Sequence, residues 1–320
     1  MMLLLPLALA LIQAPAPDTY LLVVSGLGGE AGYRRELVTW GTSLATAART
    51  LGVAPGNIIQ LAGDSSQAPG LPRATRERVL ATLQELTRKS RSGDIVLIFF
   101  AGHGSHEGAE SRINLPGPDL TAGDLGLALE PLGDRRVVVV NTTSASGDFL
   151  PALSRSGRVV ITATKSPFER NVTRFGGQFV AALAAGGADA DKDGRVSMLE
   201  AFLYARRETG RIYESDNRLL TEHAVLDDNG DKQGSAAPGA EGDDGALART
   251  LFLGSVRARI VASDSAGARI EREARAIEAS INALRARKAS MKEDEYQSQL
   301  ESLLVELALR NEALRARRTP

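Results

Sequence analysis

Apolar positions along this chain fall into two alternating textures. Continuous runs rich in β-branched residues end in small residues at Thr19–Gly29, Asn57–Gly63, Asp94–Gly104, Arg135–Thr143 and Gly157–Thr164. Unbroken runs of this kind predict strands buried on both faces. Between them lie helical spacings. Glu36–Leu51 places Trp40, Leu44 and Ala47 on one side, and an amphipathic stretch follows the N-cap candidate Thr75. Another helix is capped by Thr121 behind the rigid turn at Pro116, Gly117 and Pro118. The alternation predicts an α/β fold, a three-layer α/β/α sandwich around a mostly parallel sheet. Ligands of such sheets bind beyond the carboxyl ends of the strands. That rule selects the loops SGLGG, AGHGSHEG, NTTSASG and TATKSPFERN.

Beyond Ala262 the texture changes. Ile270, Ala274, Ile277, Ile281 and Leu284 step by four and three, as do Tyr296, Leu300, Leu303 and Leu307. Ser290 to Glu293 has the capping-box form that starts a second helix. Residues 262–320 therefore predict an antiparallel helical hairpin or an oligomerising coiled coil, a surface for a second copy or a protein partner. At the other end, Met1–Ile12 is apolar, too short to span a bilayer, and ends in Ala-x-Ala options such as Ala8 and Ala10. Residues 1–18 read as a signal peptide of an exported protein, periplasmic or extracellular, with a retained membrane anchor as the competing reading. Residues 19–261 then form the main domain.

Composition changes this picture little. The 320 residues are 43% hydrophobic and 24% charged with a net charge of -1, which gives no electrostatic reason to bind nucleic acid. With no cysteine, an exported chain has no disulfides and relies on its core and on metal.

The strongest local motif is DADKDGRVSMLE, which follows the EF-hand calcium-loop template. Asp189, Asp191 and Asp193 stand at positions one, three and five, and Gly194 at the turn. Arg195 offers its backbone carbonyl at seven, Ser197 stands at nine and Glu200 at twelve as the bidentate ligand. A single exported loop of this kind predicts weak, structural Ca²⁺ binding at ~10⁻⁴ to 10⁻³ M. A second acidic stretch, Leu226–Ser235, lacks the twelfth-position acid and reads as a turn.

Two of the three histidines, His103 and His106, follow the central strand. Zinc held by both with Glu107 or Glu110 lacks a third ligand of defined geometry, whereas His103 as a general base needs only a nucleophile from another strand end. A buried strand ending in His-Gly, and a later one ending in a hydroxyl-rich Ser-Gly turn, resembles the caspase and legumain-like cysteine peptidases over Tyr20 to about Leu253. The resemblance implies the caspase-like form of the three-layer sandwich. GHGS aligns His103 with the family's base, and TTSASG places Ser144 where the family has its cysteine. It further implies an oxyanion held by the amides of Gly104 and Ser144. Arg34, in YRRE, would read a polar or acidic P1 side chain, and Thr142 and Thr164 would border the substrate. The departures are Thr142 at the acidic position before the nucleophile, Gly32 for an asparagine, and the alcohol itself, a far weaker acid than a thiol. Three readings stand open: a serine-type endopeptidase using His103 and Ser144, a pseudopeptidase that binds a peptide or partner, and a purely structural role.

Overall fold

The computed structural model describes residues 17–64, 66–108, 110–185, 187–239, 244–254 and 265–316. The predicted leader lies outside the described residues except for its last two. In chain order the main domain runs β1 (Thr19–Ser25), α1 (Ala31–Thr50), β2 (Ile58–Ala62), α2 (Arg76–Lys89), β3 (Ile95–Ala101), β4 (Gly104–Glu107), β5 (Glu110–Ile113) and β6 (Leu120–Thr121). It continues through α3 (Ala122–Leu129), β7 (Arg136–Asn141), α4 (Phe149–Leu153), β8 (Arg158–Thr162), α5 (Phe175–Ala185), α6 (Met198–Ser215) and β9 (Val225–Asp227). α7 (Ser265–Ala286) and α8 (Glu293–Ala316) are the last α-helices among the described residues. Among the described residues no helix is long and apolar enough to cross a membrane.

The large sheet has the order β2-β1-β3-β7-β8-β9, parallel except for β9, which pairs antiparallel with β8. Side chains alternate across it, so each strand feeds two cores. Leu21, Val23, Phe99, Val140 and Ile161 meet α1, α5 and α6 on one face. Leu22, Val24, Phe100, Val139 and Val160 meet α2, α3 and α4 on the other. Both faces are covered, which is why the strand runs carry no polar alternation. The architecture is a three-layer α/β/α sandwich. Phe99, fully buried and stacked on Phe179 at 6.4 Å between ring centroids, locks α5 to the sheet. Its truncation to alanine would cost ~3–5 kcal/mol.

Caps set the helix starts. Thr75 Oγ1 accepts from Arg78 N, and Thr121 with Asp124 and Ser197 with Glu200 form complete capping boxes. α1 begins at Ala31 rather than Glu36, because Tyr33 and Leu37 extend the buried stripe of Leu44 and Ala48 by a full turn. The charges of Arg34, Arg35 and Glu36 hide that stripe in the sequence. β9 is a further strand unmarked in the sequence. Beyond it the chain folds back, with Leu226 and Ser235 exchanging both backbone hydrogen bonds.

The C-terminal helices pack on one another as a hairpin, Arg310 near the end of α8 pairing with Glu273 near the start of α7 at 2.9 Å. Ala274, Ile277, Ile281 and Leu284 are buried, as the periodicity predicts, and so is Tyr296. Ser290 does not cap α8. Its hydroxyl donates instead to the Arg287 carbonyl within the connecting turn, and the helix begins at Glu293.

Candidate active site

Parallel register brings the carboxyl ends of the central strands level. Ser25 pairs with Ala101, Phe100 with Asn141, and Asn141 with Thr162. The loops that leave these ends are tied together by backbone bonds. His103 N donates to the Leu27 carbonyl at 2.8 Å, and Ala145 N to the Glu169 carbonyl at 2.9 Å. All four loops selected from the sequence thus meet at one end of the sheet.

At their centre Ser144 and Gly104 lock the two turns that carry the expected chemistry. Ser144 Oγ donates to the Gly104 carbonyl and accepts from the Gly104 amide, both at 3.0 Å. The close approach demands glycine: a Cβ on residue 104 would stand 2.2 Å from the Ser144 carbonyl oxygen. Ser144 is 2% exposed, so its one proton and the amide expected to hold an oxyanion are spent on each other's residue. The next residue, Ala145, is left-handed at φ +52°, a conformation that costs a non-glycine residue ~1–2 kcal/mol. It turns the chain sharply so that the loop can close on Gly104.

His103 is half-buried beside this lock. Its ring lies 5.3 Å from the Tyr33 ring, and its Nε2 occupies space left by Gly29, where a Cβ would be 3.1 Å away. Among the described residues no hydrogen bond reaches either ring nitrogen, and no carboxylate orients the imidazole. Arg34 sits in the first turn of α1, its Nη1 donating to the Gly29 carbonyl. Its Nε stands 3.0 Å from Asp64 Oδ2, close enough for an ion pair but misaligned for a hydrogen bond. Hydrogen bonds from Ser66 hold Asp64 below the usual carboxylate range, and Arg34 adds to the effect. The guanidinium, about a third exposed, is therefore partly neutralised before any ligand arrives.

Thr142 and Thr164, expected to border a substrate, lie instead beneath the strand-end loops. Both are fully buried. Thr142 Oγ1 donates to the Phe100 carbonyl, and Thr164 Oγ1 accepts from Gly147 N and pairs with Ser146 Oγ at 3.1 Å. They build the turn that presents Ser144. Asn141 does the same from inside, its Oδ1 accepting from the amide and hydroxyl of Thr143.

Two supports escape sequence reasoning. Glu169, whose carbonyl holds Ala145, is fixed through its side chain by His223, Nδ1 to Oε1 at 2.8 Å and the His223 amide to Oε2 at 3.0 Å. The third histidine is thus part of the site's scaffold. Buried Glu222 accepts from Arg174 N and Phe175 N at the start of α5, and burial raises its carboxyl. Only the long-range pairing with residues 222–223 reveals the structural work of Glu169. His106, weighed above as a metal ligand, instead contacts Ser111 and Asp148.

Later in the chain, the acidic loop gathers three of the carboxylates expected as calcium ligands. Asp189, Asp191 and Asp193 each bring an oxygen within 4.8 Å of the others. Asp189 Oδ1 is buried without a hydrogen-bond partner. Burial, then the charges of Asp193 and Glu200, push the Asp191 carboxyl up to about 6. Three crowded carboxylates, one with an oxygen left without a partner, offer hard ligands of the kind that Ca²⁺ takes. Glu200 here serves the loop from within, Oε1 accepting from Ala190 and Asp191 amides and Oε2 from Ser197 N and Oγ. The Arg195 side chain leaves the loop to bridge Asp193 and Glu278 of α7 while its guanidinium lies 4.0 Å above the Phe252 ring centre.

Residues 76–179, which hold both His103 and Ser144, match the model of the Peptidase C13 family. Over that segment, about a third of its length, the chain is similar to the Peptidase C13 family. The match leaves out Arg34, the acidic loop and the hairpin. Among solved structures, protein GSU0716 from Geobacter sulfurreducens is 13% identical, with 74% of this chain and 99% of that chain covered at a TM-score of 0.46. The Drosophila initiator caspase Dronc is 10% identical over 74% and 84% of the two chains at 0.45, and caspase-1 from Spodoptera frugiperda 8% identical over 67% and 87% at 0.42. No curated protein matches the sequence.

Proposed function

We propose that this caspase/legumain-like chain is an exported peptide-binding protein whose peptidase cleft rests in a closed, non-cleaving state. Ser144 occupies the position of the family's nucleophile. The observation that carries the reading is its paired hydrogen bond with Gly104, which consumes the hydroxyl proton and the expected oxyanion amide together. An unoriented His103 supports it, because serine nucleophiles need an aligned base held by a third group. The ligand is an extended peptide with a polar or acidic side chain directed at Arg34, and Ca²⁺ at Asp189, Asp191 and Asp193 holds the loop between α5 and α6.

A serine-type endopeptidase is the second reading, favoured by one feature. The two locked groups are the ones hydrolysis would use, and rotation of the Ser144 side chain frees both. Catalysis would then proceed by attack of Oγ on the peptide carbonyl carbon, its proton passing to His103 and the amine leaving with that proton. A fluorophosphonate probe separates the two. The binding reading expects no labelling of wild type, tight binding of an aspartyl peptide lost in Arg34→Ala, and peptidase activity gained in Ser144→Cys. Labelling of wild type that disappears in both Ser144→Ala and His103→Ala would establish the hydrolase instead.

A further inference from the structure

Beyond the Ser144–Gly104 lock the two turns are joined a second time. His106 lies two residues past Gly104 on β4, directly across from Ser111 on β5. Its Nδ1 is 3.0 Å from Asp148 Oδ2 and 3.1 Å from Ser111 Oγ, and Ser111 Oγ donates to the same Asp148 oxygen at 3.1 Å. Asp148 closes the 3-10 turn that begins at Ser146, immediately after the Ser144 turn. Ser111 is fully buried and His106 only 13% exposed, while the Asp148 carboxylate is 34% exposed at the edge of the cluster. The exposed Phe168 ring stands edge-on to His106 at 5.8 Å, and its neighbour Glu169 holds Ala145. Strand, turn and overlying loop therefore share one polar knot.

The arrangement is not a catalytic triad. Ser111 and Asp148 address the same ring nitrogen, and Ser111 has no access to a substrate. Its geometry suits a different task. The first junction, Ser144 with Gly104, must open whenever a ligand's carbonyl oxygen takes the Gly104 amide, whichever of the two functional readings holds. A second junction would still join the β4–β5 hairpin to the Ser144 turn at that moment.

We propose that His106, Ser111 and Asp148 are positioning residues that keep the base-bearing and serine-bearing turns in register while the Ser144–Gly104 lock is open. The proposal rests on the cleft being a peptide site, but the knot itself is tested without ligand. Hydrogen exchange in Asp148→Ala and His106→Ala should accelerate at least about tenfold in segments 103–113 and 144–149, the size expected for losing a charge-assisted hydrogen bond. Exchange in β1 and β3 should stay as in wild type. His106→Asn, whose amide nitrogen can stand near the place of Nδ1, should restore protection, a rescue that loss of bulk alone would not give. Unchanged exchange in both segments, or equal acceleration throughout the sheet, would overturn the proposal. With an aspartyl peptide aldehyde as probe, the Asp148→Ala protein should bind about tenfold more weakly than wild type and His106→Asn nearly as well as wild type. Equal affinity of wild type and Asp148→Ala would also overturn it. A wild type that binds no peptide, with the exchange pattern as expected, would sink the functional reading and leave the knot standing.

Discussion

Replacing Ser144 by alanine separates a structural serine from a catalytic one by the sign of a stability change. The hydroxyl makes two hydrogen bonds to the Gly104 backbone, both at 3.0 Å, across a sequence gap of 40 residues and at a site only 2% exposed. Each bond is worth ~1 kcal/mol net, and buried partners left dry add to the loss, so Ser144→Ala should destabilise by ~2 kcal/mol or somewhat more. No compensation comes from relieved strain, because the left-handed residue is Ala145 and stays in place. Urea unfolding reads the difference as a lower midpoint at unchanged slope. In a thermal scan it corresponds to a fall of ~4–8 °C for a domain of this size. Removing a working nucleophile from a strained active site commonly has the opposite sign. A Ser144→Ala protein as stable as wild type, or more stable, would refute the lock as the resting function of this serine.

Other outcomes follow from the same structure. Calcium at about 10 mM should raise stability by ~1.4 kcal/mol or more, given mass action on a site of ~10⁻³ M or tighter, and Asp189→Ala should abolish the effect in differential scanning calorimetry. Ala145→Gly should leave stability within ~1 kcal/mol of wild type, because relief of the left-handed penalty is offset by glycine's unfolded-state entropy and the loss of a buried methyl, as measured by the urea midpoint. Stability without calcium should fall as pH rises from about 4 to 6. Burial, then the charges of Asp227, Asp228 and Asp231, push Asp244 from 3.8 up to about 6, so the folded state holds this proton more tightly than the unfolded one. That contribution is fully present below the unfolded value and lost through the folded one, with an upper size of ~3 kcal/mol. Asp191 acts in the same direction, and calcium should flatten its share of the slope. Unfolding midpoints at pH 4, 5, 6 and 7 with and without calcium measure both.

Much of this molecule is legible in its sequence because its parts obey short-range rules. The valines of β7 and the apolar run of β3 announce strands covered on both sides, and Thr75 and Thr121 announce helix starts through caps of a few atoms. Asp189, Asp191 and Asp193 announce their cluster because the loop that gathers them is local. What stays hidden is long-range. Neither the pairing of Glu169 with His223 nor that of His106 with Asp148 follows from spacing, and both depend on which strand ends the topology brings level. Thr142 and Thr164 illustrate the limit well: their place at the strand ends is evident from the strand order, but only the folded chain shows their hydroxyls turned inward. β9 eluded periodicity because three residues are too few to display a period.

The hairpin of bonds between Leu226 and Ser235 has a consequence for assembly. An open sheet invites neighbours along its outermost strand, whose unpaired amides and carbonyls template another chain. Here the outward groups of Leu226 are already spent on Ser235 of the same molecule, and the strand is only three residues long. The β9 margin is therefore self-sealed. Two copies of this protein cannot fuse their sheets there without first unzipping each chain's own return segment.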